Sequence, residues 1–151
     1  MERSVTALSV MERVLFLRKV PLFADLAPVD LERVARLAEE QGYADAEVIA
    51  AEGEIGEELH ILVEGTIRVV RDRGGTGQEL ARRTSGDVVG EMSIVTQEPR
   101  IATLVAEGDV RTVTLGHREF ESMLRERPSI ALAVMRVLAH RVAEGSRSAE
   151  P

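Results

Sequence analysis

The chain has 151 residues, 44% apolar and 30% charged, which suits one globular domain with a single core. It has no cysteine, which excludes disulfides, iron–sulfur clusters and thiol nucleophiles and fits a cytoplasmic setting. A net charge of −7 with arginines scattered among glutamates, and only one Tyr, three Phe and no Trp, argues against a nucleic-acid partner for this segment.

In chain order, residues 10–18 place Met11, Val14 and Leu15 at helical spacing. After Val20-Pro21-Leu22-Phe23 a second helix is predicted over roughly residues 28–41. Pro28 opens it, Asp30 can accept from the free amides of its first turn, and Gly42 ends it. Leu31, Val34, Ala35 and Ala38 form its buried stripe.

From Ala46 to Leu115 short β-rich runs alternate with glycine turns: Val48–Ala50, Leu59–Val63, Thr66–Arg71, Leu80–Thr84, Ala102–Ala106 and Val110–Leu115. The dividers include Glu52-Gly53, Glu64-Gly65, Gly74-Gly75-Thr76-Gly77, Gly86-Asp87 and Gly108-Asp109. This rhythm predicts a sandwich or small barrel. Helix returns over about residues 117–126 with Phe120, Met123 and Leu124 inward, and Pro128 separates it from a last helix over Ser129–Val142. The polar residues beyond are expected to fray. A single domain accounts for all of this, with no repeat, no membrane-spanning run and no secretory signal.

The last helix carries two apolar stripes. Ile130, Ala133, Val134, Val137 and Leu138 form one, and Leu132, Met135, Ala139 and Val142 the other. A helix apolar on two sides is covered on two sides, the second by a further copy of the chain or by its own core.

The chemistry lies between two predicted strands, in Gly90-Glu91-Met92-Ser93-Ile94-Val95 and Pro99-Arg100-Ile101-Ala102-Thr103. Gly90 allows a close approach of the backbone. One turn over Glu91 to Val95 would present free amides, and Arg100 can fork onto two phosphate oxygens. Glu91 is a pure acceptor suited to a sugar hydroxyl. A phosphate alone is repelled by the carboxylate and a sugar alone has no use for the arginine, so the pair suits a ribose carrying a cyclic phosphate. By contrast, Gly74-Gly75-Thr76-Gly77 lacks the following Gly-Lys-Ser/Thr of a nucleotide loop and reads as a hairpin turn. His60, His117 and His140 have no metal-ligand spacing, which speaks against a cupin-type enzyme.

The segment from Gly90 to Thr103 resembles the phosphate-binding cassette of cyclic-nucleotide-binding domains, the family of the bacterial catabolite activator protein and the protein-kinase regulatory subunits. The stretch from Glu52 to Val69 resembles the family's glycine-turn hairpin, and the likeness runs over about residues 10–143. It implies a mainly β fold, a jelly-roll barrel (double-stranded β-helix) with N-terminal helices and two C-terminal helices. It also implies a ligand, cAMP ahead of cGMP, with no cofactor, metal or catalytic step. Glu91 would accept the ribose 2′-hydroxyl with support from the Gly90 amide. Arg100 and amides near Ile101 and Ala102 would hold the phosphate, and Met92 and Ser93 would line the cassette. The adenine would lie in an apolar slot closed by the final helix. Two departures stand out: Ile101 occupies a position that is small in the family, and Val89 one that is often aromatic. A bulky residue at 101 must point away from the ligand or crowd it. If it crowds the site, the same fold serves as an interaction or dimerisation module instead. As a sensor, the domain would signal through its C-terminal helices to an effector. Only nine residues follow Val142, so that effector is expected elsewhere in a longer polypeptide.

Overall fold

The computed structural model describes residues 7–90 and 96–149. Helix α1 (Val10–Leu17) begins with a reciprocal cap: Ser9 Oγ accepts from the Glu12 amide and the Glu12 carboxylate accepts from the Ser9 amide, both at 3.1 Å. Its inward residues are Leu17, with Val10, Val14 and Phe16, whereas Met11 and Leu15 of the expected stripe are exposed.

Helix α2 (Pro28–Leu37) stops four residues before its predicted end. Residues Glu39–Tyr43 instead form strand β1, and Gly42 is not a cap but pairs with Arg111. The reason is tertiary. Arg13 Nη1 donates to the carbonyls of Ala35 (2.9 Å) and Ala38 (2.8 Å), satisfying acceptors at the helix end, and the chain then meets the edge of a long strand. The Asp30 carboxylate, expected to serve its own helix, faces Arg127 Nε at 3.1 Å.

Among the described residues six antiparallel strands follow: β1, β2 (Val48–Ala50), β3 (Glu58–Arg73), β4 (Thr76–Arg83), β5 (Val88–Val89) and β6 (Thr103–Gly116). Their order is β1-β6-β3-β4, with β2 also on β6 and β5 also on β3. The tip between β3 and β4 is a hairpin turn, as its glycines imply, with Asp72 Oδ1 accepting from the Gly75 amide at 3.0 Å.

The dividers at Glu64-Gly65 and Gly108-Asp109 do not separate strands. They lie inside β3 and β6, where the register shifts between Leu62 and Thr66. Gly65 has φ +99°, and a β-carbon there would overlap the Asp109 carbonyl oxygen. Glycine here lets two long strands kink while touching, a bulge rather than a turn.

Alternation along the strands sorts two cores. Leu59, Ile61, Val88 and Leu115 face the helices and meet Leu17, Phe23, Val34 and Phe120. Leu62, Ile67, Val89, Leu104 and Val110 face the other way, into the barrel. Helix α3 (His117–Glu126) and helix α4 (Pro128–Ala149) complete the helical layer. The last helix therefore extends through the segment expected to fray. Its first stripe is buried through Ile130, Ala133 and Val134, while Leu132, Met135, Ala139 and Val142 are exposed. Around the α3–α4 break, Glu126 pairs with Arg33 and Arg127 with Asp30, so α2 holds both sides of the joint.

Candidate functional site

Arg100 is fixed first by its backbone. Its amide donates to the Glu54 carbonyl at 2.7 Å and its carbonyl accepts from Gly53 at 2.9 Å. One residue earlier, Pro99 bridges to Ile55. The residues before β6 are thus stitched to the glycine-rich loop that precedes β3. This anchoring turns the guanidinium inward, where the residue is only 8% exposed.

Gly90, at the end of β5, completes the seat. Its φ is +89°, and a β-carbon would lie 2.9 Å from Arg100 Nη1 and 3.0 Å from the Glu58 carbonyl oxygen. The close approach expected at Gly90 is therefore to the arginine itself. Arg100 Nη2 donates to that same Glu58 carbonyl at 3.3 Å, a long bond. Burial lowers the arginine's pKa, while the Glu54 and Glu58 carboxylates oppose the shift.

The guanidinium opens onto a cleft of about 520 Å³. Its walls include Tyr43 and Ile49 from the β1–β2 side, Glu54 from the loop, and Glu58 and His60 from β3. Burial is the main cause that raises the Tyr43 pKa, with Glu58 adding to it, so the phenol remains a donor. The apolar end of the cleft meets Ala50 and Ile49, which belong to the barrel core.

His60 is 4% exposed, and its Nδ1 has no hydrogen-bond partner among the described residues. Burial, followed by the nearby charge of Arg100, pushes its pKa down to about 4. In the unfolded chain the same imidazole titrates near its ordinary value of 6.5. A depressed folded pKa contributes stability that is fully present above about pH 6.5 and is lost as pH falls towards 4. The expected loss is about 3 kcal/mol across that window. Urea unfolding at pH 7.5 and 4.5 checks it: the parent should lose more stability than His60→Gln, and equal losses would refute the assignment.

Of the residues singled out in the sequence, Gly90 and Arg100 are brought into contact. Glu91, Met92 and Ser93 lie outside the described residues. Ile101 is 69% exposed and is not part of the cleft wall, and Ala102 is buried at the foot of β6. Among the described residues none of α4 lines the cleft, and the buried stripe of α4 packs in the helical layer. Tyr43, Glu54, Glu58 and His60 were not foreseen as site residues. The Glu52–Glu58 stretch carried a signal in its glycines, whereas nothing local marks His60. The three histidines are held on different elements, and no group of three metal-binding side chains gathers among the described residues. No helix among the described residues is long and apolar enough to cross a membrane.

Comparison with known proteins places this geometry. A family model described as cyclic nucleotide-binding domain matches residues 40–127. The chain is 31% identical over 110 residues to the cAMP-dependent protein kinase regulatory subunit of Blastocladiella emersonii, covering 72% of this chain and 27% of that protein. Among solved structures, the catabolite activator protein of Thermus thermophilus superposes with a TM-score of 0.79 at 28% identity, over 85% of this chain and 61% of that one. A regulatory subunit of a cAMP-independent protein kinase A from Trypanosoma cruzi, bound to guanosine, gives 0.75 at 30% identity, over 86% and 44%. The mainly antiparallel β-sheet with flanking helices is thus the jelly-roll fold of these regulators. The chain spans well under half the length of the kinase regulatory subunits it matches.

Proposed function

The chain belongs to the cyclic-nucleotide-binding domain family, and from that premise we propose that the Arg100 cleft takes cAMP and that the domain is a sensor performing no chemistry on it. One observation carries the reading: a buried guanidinium, seated by Gly90, whose one hydrogen bond to the described residues is the 3.3 Å contact with Glu58. A buried charge so weakly paired is costly unless an anion engages it. The cyclic phosphate would accept a forked pair from Arg100, helped by amides near Ile101 and Ala102. Glu91 would accept the ribose 2′-hydroxyl beside the Gly90 amide, with Met92 and Ser93 alongside. The exposure of Ile101 supports the reading, because an outward side chain leaves the phosphate uncrowded.

Signalling in this proposal runs through α3 and α4, whose joint is tied to α2 by the Asp30 and Arg33 pairs. Ligand would shift the balance between two placements of these helices through differential contacts. The exposed Leu132, Met135, Ala139 and Val142 face of α4 would pair with a second copy. The setting would be cytoplasmic.

A phosphate-free nucleoside is the competing occupant, since a relative of 30% identity was solved with guanosine. Against it, guanosine would leave the Arg100 charge buried and unmatched. Calorimetric titration with cAMP, cGMP and guanosine separates these readings. The expected order is cAMP tighter than cGMP, with guanosine weakest. Guanosine binding tighter than cAMP would transfer the site to nucleosides. No heat from any of the three would leave only an interaction module of this fold.

A further inference from the structure

We propose that His60 is a second ligand-contacting residue of this cleft and that it takes up a proton when a phosphate-bearing ligand engages Arg100. The inference rests on the nucleotide reading above and assigns a residue to it.

The strand register carries the first part of the argument. His60 and Leu62 share the face of β3 that looks into the barrel, and His60 pairs with Val89 of β5 and Thr114 of β6. Val89 precedes Gly90, against which the Arg100 guanidinium rests. The imidazole is therefore placed beside the seat of the arginine and lines the same cleft. It is more than nine-tenths buried with Nδ1 unpartnered among the described residues. A buried polar atom without a partner calls for an explanation, and a ligand atom in the adjoining cleft supplies one.

Electrostatics carries the second part. In the free protein, burial and the Arg100 charge both favour the neutral imidazole. An anion on the guanidinium cancels that repulsion and adds attraction for an imidazolium. The proton comes from solvent, so binding strengthens as pH falls. Among the described residues the other ionisable groups facing the cleft are Glu54 and Glu57 from the loop, Glu58 from the start of β3 and Tyr43 from β1, and the nucleotide reading adds Glu91; Val89 and Thr114 face His60 from β5 and β6. His60→Gln keeps every one of these groups, so it separates their titration from that of the histidine.

The test measures cAMP affinity by calorimetry at pH 7.5 and 5.5, in buffers of low and high ionisation heat, for the parent, His60→Gln and His60→Phe. Proton–carbon NMR follows the His60 ring of the parent with and without cAMP, its signal identified by its loss in His60→Gln. We expect parent affinity to rise about four- to tenfold at the lower pH, as one imidazole regaining a near-ordinary midpoint requires. Buffer-dependent heat should report proton uptake, the His60 midpoint should move upward with cAMP, and guanosine should leave it in place. The variants should lose the rise. If cAMP binds but the parent and His60→Gln share one pH dependence, or the His60 midpoint stays still, the role of His60 is refuted and the nucleotide reading stands. If cAMP binds at neither pH, both fall. Should one variant fail to fold, the other identifies the ring signal and the NMR pair on the parent decides; should both fail, loss of the other two ring signals in His117→Gln and His140→Gln identifies it.

Discussion

Arg100→Ala is expected to weaken cAMP binding at least a hundredfold while leaving the domain as stable as the parent, or more so. The two effects have separate causes. A forked pair to phosphate gives two charge-assisted hydrogen bonds, each contributing about 1.5–3 kcal/mol. Their joint loss, about 3–6 kcal/mol, corresponds to about two to four powers of ten in affinity. In the free protein the same side chain contributes little. Its contact with the Glu58 carbonyl is long, and burial disfavours its charge. Removing it relieves that desolvation and leaves Glu58 a carbonyl that water can reach through the cleft. Calorimetry and thermal unfolding, read together, check both halves. Affinity within threefold of the parent would remove Arg100 from the site, and a large fall in stability would make it a structural residue.

Gly65→Ala should cost about 4 kcal/mol of stability. One part is conformational, since φ is +99° where an L-residue is strained. The other is steric: the added carbon meets the Asp109 carbonyl oxygen and crowds Val110, and backbone cannot rotate aside as a side chain can. The strands, which pair on both sides of this bulge, must separate at it. Gly74→Ala is the control, with φ +62° and nothing within 4 Å of the new carbon. It should cost about 1–2 kcal/mol, the price of the left-handed conformation alone. Equal urea midpoints for the two variants would refute the steric account.

The difference between these glycines explains much of what the sequence could and could not reveal. Glycine marks positive φ, but its spelling is the same in a hairpin tip and in a kink between touching strands. Gly74-Gly75 is the first kind and was legible. Gly65 is of the second kind, Gly108 lies in the same irregularity of β6 with open space around it, and reading both as turns cut two long strands into four short ones. The end of α2 misled for a related reason. Glu39-Glu40-Gln41 are good helix formers and Gly42 mimics a cap, yet the strand is imposed by β6 and by Arg13, which lie far away in sequence.

At the site the same boundary holds. Gly90 and Arg100 are ten positions apart, and both stood out as site residues from a local pattern, although the partner of Gly90 did not. Glu58 lies 42 positions from Arg100, and its role comes from a main-chain carbonyl that no side-chain pattern encodes. His60 was weighed only as a metal ligand. Its partners come from strand register, which residue spacing alone does not supply.

Tyr43, on the wall of the cleft, is the chain's only tyrosine, and there is no tryptophan. Its phenol is therefore an optical probe built into the domain at the point of interest. A change in its near-ultraviolet dichroism or emission on adding a ligand reports directly on the cleft, with no label attached and no second chromophore of its kind to subtract.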